Sequence, residues 1–193
     1  MFLFYWTKLF GLSEQYVKLP FIFMGVTSIF IVYKIALKRF SETAAIFSSL
    51  FLACSQFMII YSQYARPYIS GSFLVLLLFY FLLRVLFDEN VKRYNWLALG
   101  IFFFLSAINH HVCMLTAFVA ALTGLIFLKK ERITAYLIIC VASAFLYLVH
   151  LPITLNQLSI GGVGGWLSAP ESGFIIQVLV LGVHESPLLR FRV

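Results

Sequence analysis

Long uninterrupted apolar runs constrain this sequence more than any other feature. The run from Phe73 to Leu83 contains no charged residue, and such continuous runs are typical of membrane helices rather than of the alternating strands of a barrel. Across the chain, 63% of the residues are hydrophobic and 11% are charged, whereas soluble domains carry about 25% charged residues. The sequence therefore predicts an integral membrane protein, and it excludes soluble, disordered, collagen-like and disulfide-scaffold classes.

Charged and polar residues divide the apolar sequence into six predicted membrane spans. A helix needs about 20 residues to cross a bilayer core about 30 Å thick, so the shorter spans must extend into flanking polar residues or meet a thinner bilayer. The predicted fold class is an all-α, polytopic bundle of about six transmembrane helices. The predicted spans are Leu19–Tyr33, Thr43–Ile60, Ser70–Phe87, Trp96–Ile108, Val112–Leu128 and Tyr136–Leu151.

The distribution of basic residues predicts how the spans face. One set of alternate loops holds nine of the fourteen Lys and Arg residues, and short loops rich in Lys and Arg stay cytoplasmic. The N-terminus, residues 61–69, the turn at 109–111 and everything after Pro152 should therefore face outward. We therefore expect a multi-pass membrane protein with these segments on its outer side. Because orientation explains the basic residues, no nucleic-acid partner is expected.

We predict one membrane domain over residues 1–193, divided into three parts. Residues 1–18 should form an amphipathic segment on the outer surface, since apolar side chains recur there at near-helical spacing. Residues 19–151 should hold the transmembrane helices, and residues 152–193 an outer loop with the start of a following segment. The cysteines lie inside apolar runs without paired spacing, so we expect small core residues rather than a disulfide or zinc site.

Polar residues on the predicted outer side collect in three clusters. The densest runs from Tyr61 to Tyr68 and contains Arg66, the only charged residue between residues 43 and 83. It suits either an aromatic belt with an interfacial Arg or an anion site, because guanidinium groups bind phosphate oxygens well. The cytoplasmic loops, which include Asp88, are interpreted as solvated basic faces.

The second cluster is Asn109-His110-His111, and the third combines 151–157 with the glycine-rich stretch 161–166, which ends at Trp166. Adjacent residues on a helix do not share a face, and no carboxylate lies nearby in sequence. Hydrogen bonding at an interface or active site is therefore favoured over metal ligation for the histidines. The glycines match no nucleotide-binding pattern, and a flexible outer loop of this kind suits a sugar or a lipid headgroup.

These motifs resemble glycosyltransferase family 39, the protein O-mannosyltransferases and aminoarabinose transferases. The stretch Tyr-Ser-Gln-Tyr-Ala-Arg-Pro-Tyr at 61–68 matches the family except at Tyr64, where Glu is common. Further landmarks, in the expected order, are Leu9–Glu14, Lys18–Pro20, Asn109-His110, Leu151-Pro152 and Trp166. The resemblance implies a C-type membrane glycosyltransferase fold in a bacterial inner or plasma membrane, with the active face outward. No cofactor or metal is expected. The resemblance also implies a polyprenyl-phosphate-linked sugar as donor and a glycan, lipid or protein as acceptor.

The resemblance also assigns roles to individual residues. Lys18 and Arg66 would hold the donor phosphate, and the further substrate-site candidates are Tyr61, Gln63, Tyr68, Asn109, His110 and Trp166. The family's catalytic Asp lies in a first outer loop, but this chain has no Asp before Asp88. We therefore expect that carboxylate upstream of Met1, which makes this chain a fragment of a larger enzyme. The alternative is a non-catalytic membrane protein, which would be a degenerate copy, a scaffold or a transporter subunit.

Overall fold

A computed structural model describes residues 2–64 and 66–159. Those residues form nine α-helices and no strand, with a short 3-10 turn at Lys130–Arg132. The predicted all-α class is therefore confirmed. The helices are α1 (Phe2–Phe10), α2 (Glu14–Arg39), α3 (Glu42–Cys54), α4 (Gln56–Gln63), α5 (Pro67–Phe87), α6 (Arg93–Asn109), α7 (His111–Phe127), α8 (Ile133–Leu148) and α9 (Leu151–Ser159).

Three helical segments of the described chain are long and apolar enough to cross a bilayer. They are α2, α5, and α8 together with its preceding turn. The pair α3 and α4 would make a fourth span, bent by 51°, while α6 and α7 have only 17 residues each. The chain is thus a multi-pass α-helical membrane protein. Helices lie at all six predicted spans, but the number six stays a prediction.

Two predicted boundaries differ from those of the structure. Helix α2 begins at Glu14 and runs 26 residues, so the predicted boundary at residue 18 lies inside a helix. The predicted span Thr43–Ile60 is interrupted at Ser55, whose extended backbone (ψ 122°) separates α3 from α4. Ser competes for backbone hydrogen bonds and favours helix ends. At Ser55 this preference coincides with the end of α3.

A hydrogen bond attaches helix α1 to the start of α2, at a carbonyl that a proline leaves free. Pro20 lies inside α2 and has no N–H, which leaves the carbonyl four residues earlier without its usual helical partner. That carbonyl belongs to Tyr16, and it accepts a hydrogen bond from Trp6 Nε1 at 2.7 Å. Gly11, with φ +92°, supplies the left-handed turn that folds α1 back. The predicted amphipathic segment is thus helical to Phe10.

The helices pack through two apolar clusters. Phe21, Met58 and Ile69 join α2, α4 and α5. A larger cluster joins α5, α6, α7 and α8 around Leu78 and Tyr136, both fully buried.

Helices α2 and α5 run parallel, because their last turns meet at Asp88. We call this the Asp88 end of the bundle and the opposite end, where α5 begins, the Arg66 end. The 21 residues of α5 separate the two ends by about 30 Å.

Asp88 ties α2 to α5 with ion pairs. Its carboxylate accepts from Lys38 Nζ at 2.5 Å and from Arg39 Nη2 at 2.6 Å, and Arg84 Nε lies 3.4 Å away. Burial alone would raise the pKa of Asp88, but hydrogen bonds from Lys38 and Arg39 hold that pKa below its ordinary value. The Asp88 side chain is only 11% exposed. The interpretation of this loop as a solvated basic face is therefore wrong at Asp88.

Arg132 closes the same end from the α7–α8 connection. Its guanidinium donates to the carbonyl oxygens of Val85, Asp88 and Glu89 at 2.6, 2.8 and 2.8 Å. The last carbonyls of a helix have no partner within it, and a cation there also favours the helix dipole. Arg132 therefore caps α5 and joins α8 to it.

We predict that Asp88→Asn lowers the melting temperature of the purified chain in detergent. The substitution keeps the shape but leaves Lys38, Arg39 and Arg84 without their shared counter-charge, which should cost about 1–3 kcal/mol for this partly exposed cluster. The contribution should be present above the unfolded pKa of about 3.9. It should disappear as pH falls through the lower folded pKa.

The matched control is Glu131→Gln, since Glu131 makes no ion pair within the described residues. At pH 7 only Asp88→Asn should shift the melting temperature. Equal melting temperatures for the two variants at pH 7 would contradict the role assigned to Asp88.

Candidate functional site

The Arg66 end of the bundle exposes one cation at the start of α5. Arg66 has the extended backbone (φ −118°, ψ 157°) expected before a proline. Pro67 occupies the first helical turn, where its missing N–H costs nothing. The Arg66 side chain is exposed, and within residues 2–64 and 66–159 its guanidinium has no hydrogen bond or ion pair. All five of its donors are therefore available to an anion.

Asn109 holds the first turn of α5 against the end of α6. Its Nδ2 donates to the Pro67 carbonyl at 3.1 Å, and its Oδ1 accepts from Ser70 Oγ at 3.1 Å. Gly71 allows this approach, because a Cβ there would collide with the Cys113 sulfur and with Asn109 Nδ2. Asn109 thus fixes where Arg66 lies relative to the α6–α7 turn.

His110 forms that turn and caps α7. Its Nδ1 accepts a hydrogen bond from the Val112 N–H at 3.2 Å, as the cap of a helix N-terminus does. In a neutral imidazole with Nδ1 as acceptor, Nε2 carries the proton. His110 therefore presents an N–H donor away from the helix that it caps.

Aromatic rings connect residues 61–68, which include Arg66, to the α6–α7 turn. The ring centroids of Tyr61 and Tyr68 lie 4.9 Å apart in an edge-on arrangement, and Tyr68 and His110 lie 6.1 Å apart. The structure thus brings together four predicted substrate-site residues, namely Tyr61, Tyr68, Asn109 and His110. Gln63 ends α4 and is exposed to solvent.

The end of α8 and helix α9 form the wall of a cleft that lies opposite the α6–α7 turn. The Tyr147 hydroxyl and Thr154 Oγ1 are 2.8 Å apart, and the Tyr147 and His150 rings lie 5.9 Å apart. Between this wall and the α6–α7 turn lies an open cleft of about 490 Å³. The cleft is lined by Pro67, Ala107, Ile108, Asn109, His110, His111, His150, Thr154 and Gln157.

The cleft is rich in hydrogen-bonding groups but contains no carboxylate among the described residues. Glu14 is the one described carboxylate at the Arg66 end, and it forms an ion pair with Lys18. No group of three His, Cys, Asp or Glu residues in the described chain is arranged to hold a metal ion. Imidazole, amide and hydroxyl groups of this kind suit a polar uncharged ligand such as a sugar.

A family model described as dolichyl-phosphate-mannose-protein mannosyltransferase matches residues 2–153. The chain belongs to this mannosyltransferase family. The match confirms the resemblance seen in the sequence, and with it a C-type membrane glycosyltransferase. A search of curated proteins finds no match, and a search of solved structures finds none either.

The mannosyltransferase match includes Arg66, Asn109 and His110 but stops at Ile153, so Thr154 and Gln157 lie just beyond it. Lys18 lies on the same face of α2 as Phe21, at the Arg66 end. No hydrogen bond or ion pair joins Lys18 to the cleft in the described part of the chain. Trp166 and the glycine-rich stretch lie outside the described residues. The phosphate-binding and substrate roles of all these residues stay predictions.

His150 is the residue of the cleft that the sequence analysis missed. Thr154 and Gln157 fall within a predicted polar cluster, but His150 precedes that cluster at the end of an apolar run. A usable signal exists, because His150 is the only titratable side chain except Tyr and Cys between residues 133 and 159. Ionisable residues at span ends are rare and often functional.

We predict that Asn109→Asp weakens the attachment of α5 to α6. Aspartate keeps the acceptor for Ser70 but places an oxygen opposite the Pro67 carbonyl, which should cost about 1 kcal/mol. The expected result is a melting temperature lower by about 2–4 °C in detergent. Asn156→Asp is the control, since the Asn156 side chain is exposed on α9 without a described partner. An unchanged melting temperature for Asn109→Asp would show that this contact is dispensable.

Proposed function

We propose that this chain provides the donor-binding part of a membrane glycosyltransferase. In this proposal, a sugar linked to a polyprenyl phosphate is transferred to a glycan, lipid or protein acceptor at the outer membrane face. The observation that carries it is the exposed guanidinium of Arg66, which has no partner among residues 2–64 and 66–159. It lies beside a polar cleft, at one end of a helix about as long as a bilayer core is thick. Family membership supports glycosyl transfer in general.

Arg66 would bind the phosphate that leaves with the lipid. Transfer breaks the bond between the sugar and the phosphate, so negative charge accumulates on the phosphate oxygens. Preorganised cations facing that charge stabilise the transition state. The planar guanidinium binds two phosphate oxygens at once. The fixed first turn of α5 would hold Arg66 at the membrane surface, at the depth of a lipid phosphate.

The cleft would hold the sugar next to Arg66. Its volume of about 490 Å³ falls within the range of small-molecule sites. His110 Nε2–H supplies a donor, while His150 and Thr154 on the opposite wall supply further hydrogen-bonding groups for hydroxyls. Tyr61 and Tyr68 would cover the side of the cleft that faces the headgroup.

The acceptor hydroxyl needs a base to take its proton. Glu14 is the only described carboxylate at the Arg66 end, and Lys18 neutralises it. We therefore infer that the base belongs to a segment outside the described residues, as the family resemblance implies. The described residues would contribute binding and leaving-group stabilisation to the reaction.

We predict that Arg66→Gln weakens binding of dolichyl phosphate mannose by roughly 10- to 150-fold, since a hydrogen bond to a charged group contributes about 1.5–3 kcal/mol. Arg66→Lys should fall between the wild type and Arg66→Gln, because it keeps the charge but loses the bidentate fork. Binding is measured by titration of the full chain in nanodiscs. Arg93→Gln is the control, because Arg93 is an exposed cation at the Asp88 end.

Glu14 offers a separate measure of the role of Lys18. If Lys18 contacts the phosphate, Glu14→Gln should tighten donor binding by releasing the ammonium, and Lys18→Gln should weaken it.

If Arg66 and Lys18 only anchor the chain at the interface, Arg66→Lys should leave donor affinity unchanged. Unchanged donor affinity in both Arg66→Gln and Lys18→Gln would reject the proposal in favour of a non-catalytic membrane protein.

A further inference from the structure

The Asp88 end carries more positive charge than its ion pairs neutralise. Lys34, Lys38, Arg39 and Arg84 line a shallow crevice between α2 and α5, and Asp88 is the one carboxylate paired with any of them in the described chain. Asp88 stays ionised because its pKa is lowered. The crevice therefore retains a local net charge of about +3, counted from these four cations and one carboxylate.

Several donors in this crevice have no acceptor in the part of the chain that the structure describes. Lys34 is exposed, and its described contact is with the Phe30 ring at 5.1 Å. Lys38 uses one donor on Asp88, and Arg84 uses Nε on Asp88 and Nη1 on the Tyr80 hydroxyl at 3.2 Å. Lys34 and Lys38 are four residues apart on one helix face, an arrangement that is unfavourable for like charges without a bound anion.

The crevice also has the polarity profile of a phospholipid. Ile35 and Leu83 form its apolar part, while the cations lie at the ends of α2 and α5. Phe40 and Phe87, which lie next to the crevice at the ends of these helices, are 79% and 50% exposed and add apolar surface that lipid can cover. Basic pockets between membrane helices at this depth bind acidic lipid headgroups.

We propose that the crevice between α2 and α5 binds the phosphate of an anionic phospholipid from the leaflet at the Asp88 end. Lys34, Lys38 and Arg84 would hold the phosphate oxygens at the mouth of the crevice, because the space inside it, about 10 Å³, is too small for a headgroup. The bound lipid would add a second link between α2 and α5 beside Asp88. This site is at the opposite end of the bundle from Arg66, so it is independent of the donor site.

The test is binding of phosphatidylglycerol to the purified full chain in phosphatidylcholine nanodiscs, measured by fluorescence with a labelled lipid. Phosphatidylglycerol should bind, and excess phosphatidylcholine should not displace it. Lys34→Gln should weaken binding about fivefold and Lys34→Glu about 25-fold, by the contribution of one near-surface cation. Lys130→Gln, which removes an exposed cation outside the crevice, is the matched control and should change binding less than twofold.

Asp88→Asn provides a second, opposite readout. It removes the crevice's own negative charge, so phosphatidylglycerol should bind more tightly even though the protein is less stable. A purely structural role for the cluster predicts that binding falls together with stability.

Three results would overturn the site. Equal binding of phosphatidylglycerol and phosphatidylcholine would exclude headgroup recognition. Equal losses for Lys34→Gln and Lys130→Gln would show a general attraction to the basic loops. Complete displacement by millimolar inorganic phosphate would indicate a soluble phosphate ligand instead of a lipid.

Discussion

The absence of water in a bilayer is the constraint on which the rest of this structure depends. A polar group in hydrocarbon costs several kcal/mol unless it has a partner, so the charged side chains of these apolar helices lie near the helix ends. In this chain α5 passes through the middle of the bundle, with Arg66 before its first residue and Asp88 after its last. The chemistry of the chain is therefore divided between two regions about 30 Å apart.

The charged side chains at the two ends have different surroundings. At the Asp88 end, one carboxylate and the carbonyls of α5 are bound by four basic side chains from α2, α5 and the α7–α8 connection. This arrangement joins helices. At the Arg66 end, Asn109 and the His110 cap shape a cleft whose donors point to open space, and the guanidinium beside it has no described partner. An arrangement that leaves a cation unpaired makes sense where a ligand supplies the anion.

The sequence predicted the helices well because apolar runs and their charged borders directly reflect the bilayer. It predicted Arg66, Asn109 and His110 as site residues because a family motif and polar clustering both mark them. The bend at Ser55 was missed, since a single serine in an apolar run has little weight against the residues around it. Asp88 and His150 were misjudged or missed because their environments arise from helices distant in sequence. No local pattern shows that Lys38 reaches Asp88 or that α9 faces the α6–α7 turn.

The central claim is that the Arg66 end faces outward, where a lipid-linked sugar donor meets its acceptor. Fusion of a phosphatase that is active only outside the cytoplasm, placed after Tyr64 in one protein and after Lys130 in another, tests this claim most directly. The account predicts phosphatase activity for the fusion at Tyr64 and none for the fusion at Lys130, with equal expression of both. Activity at Lys130 without activity at Tyr64 would contradict the orientation and the donor site proposed with it.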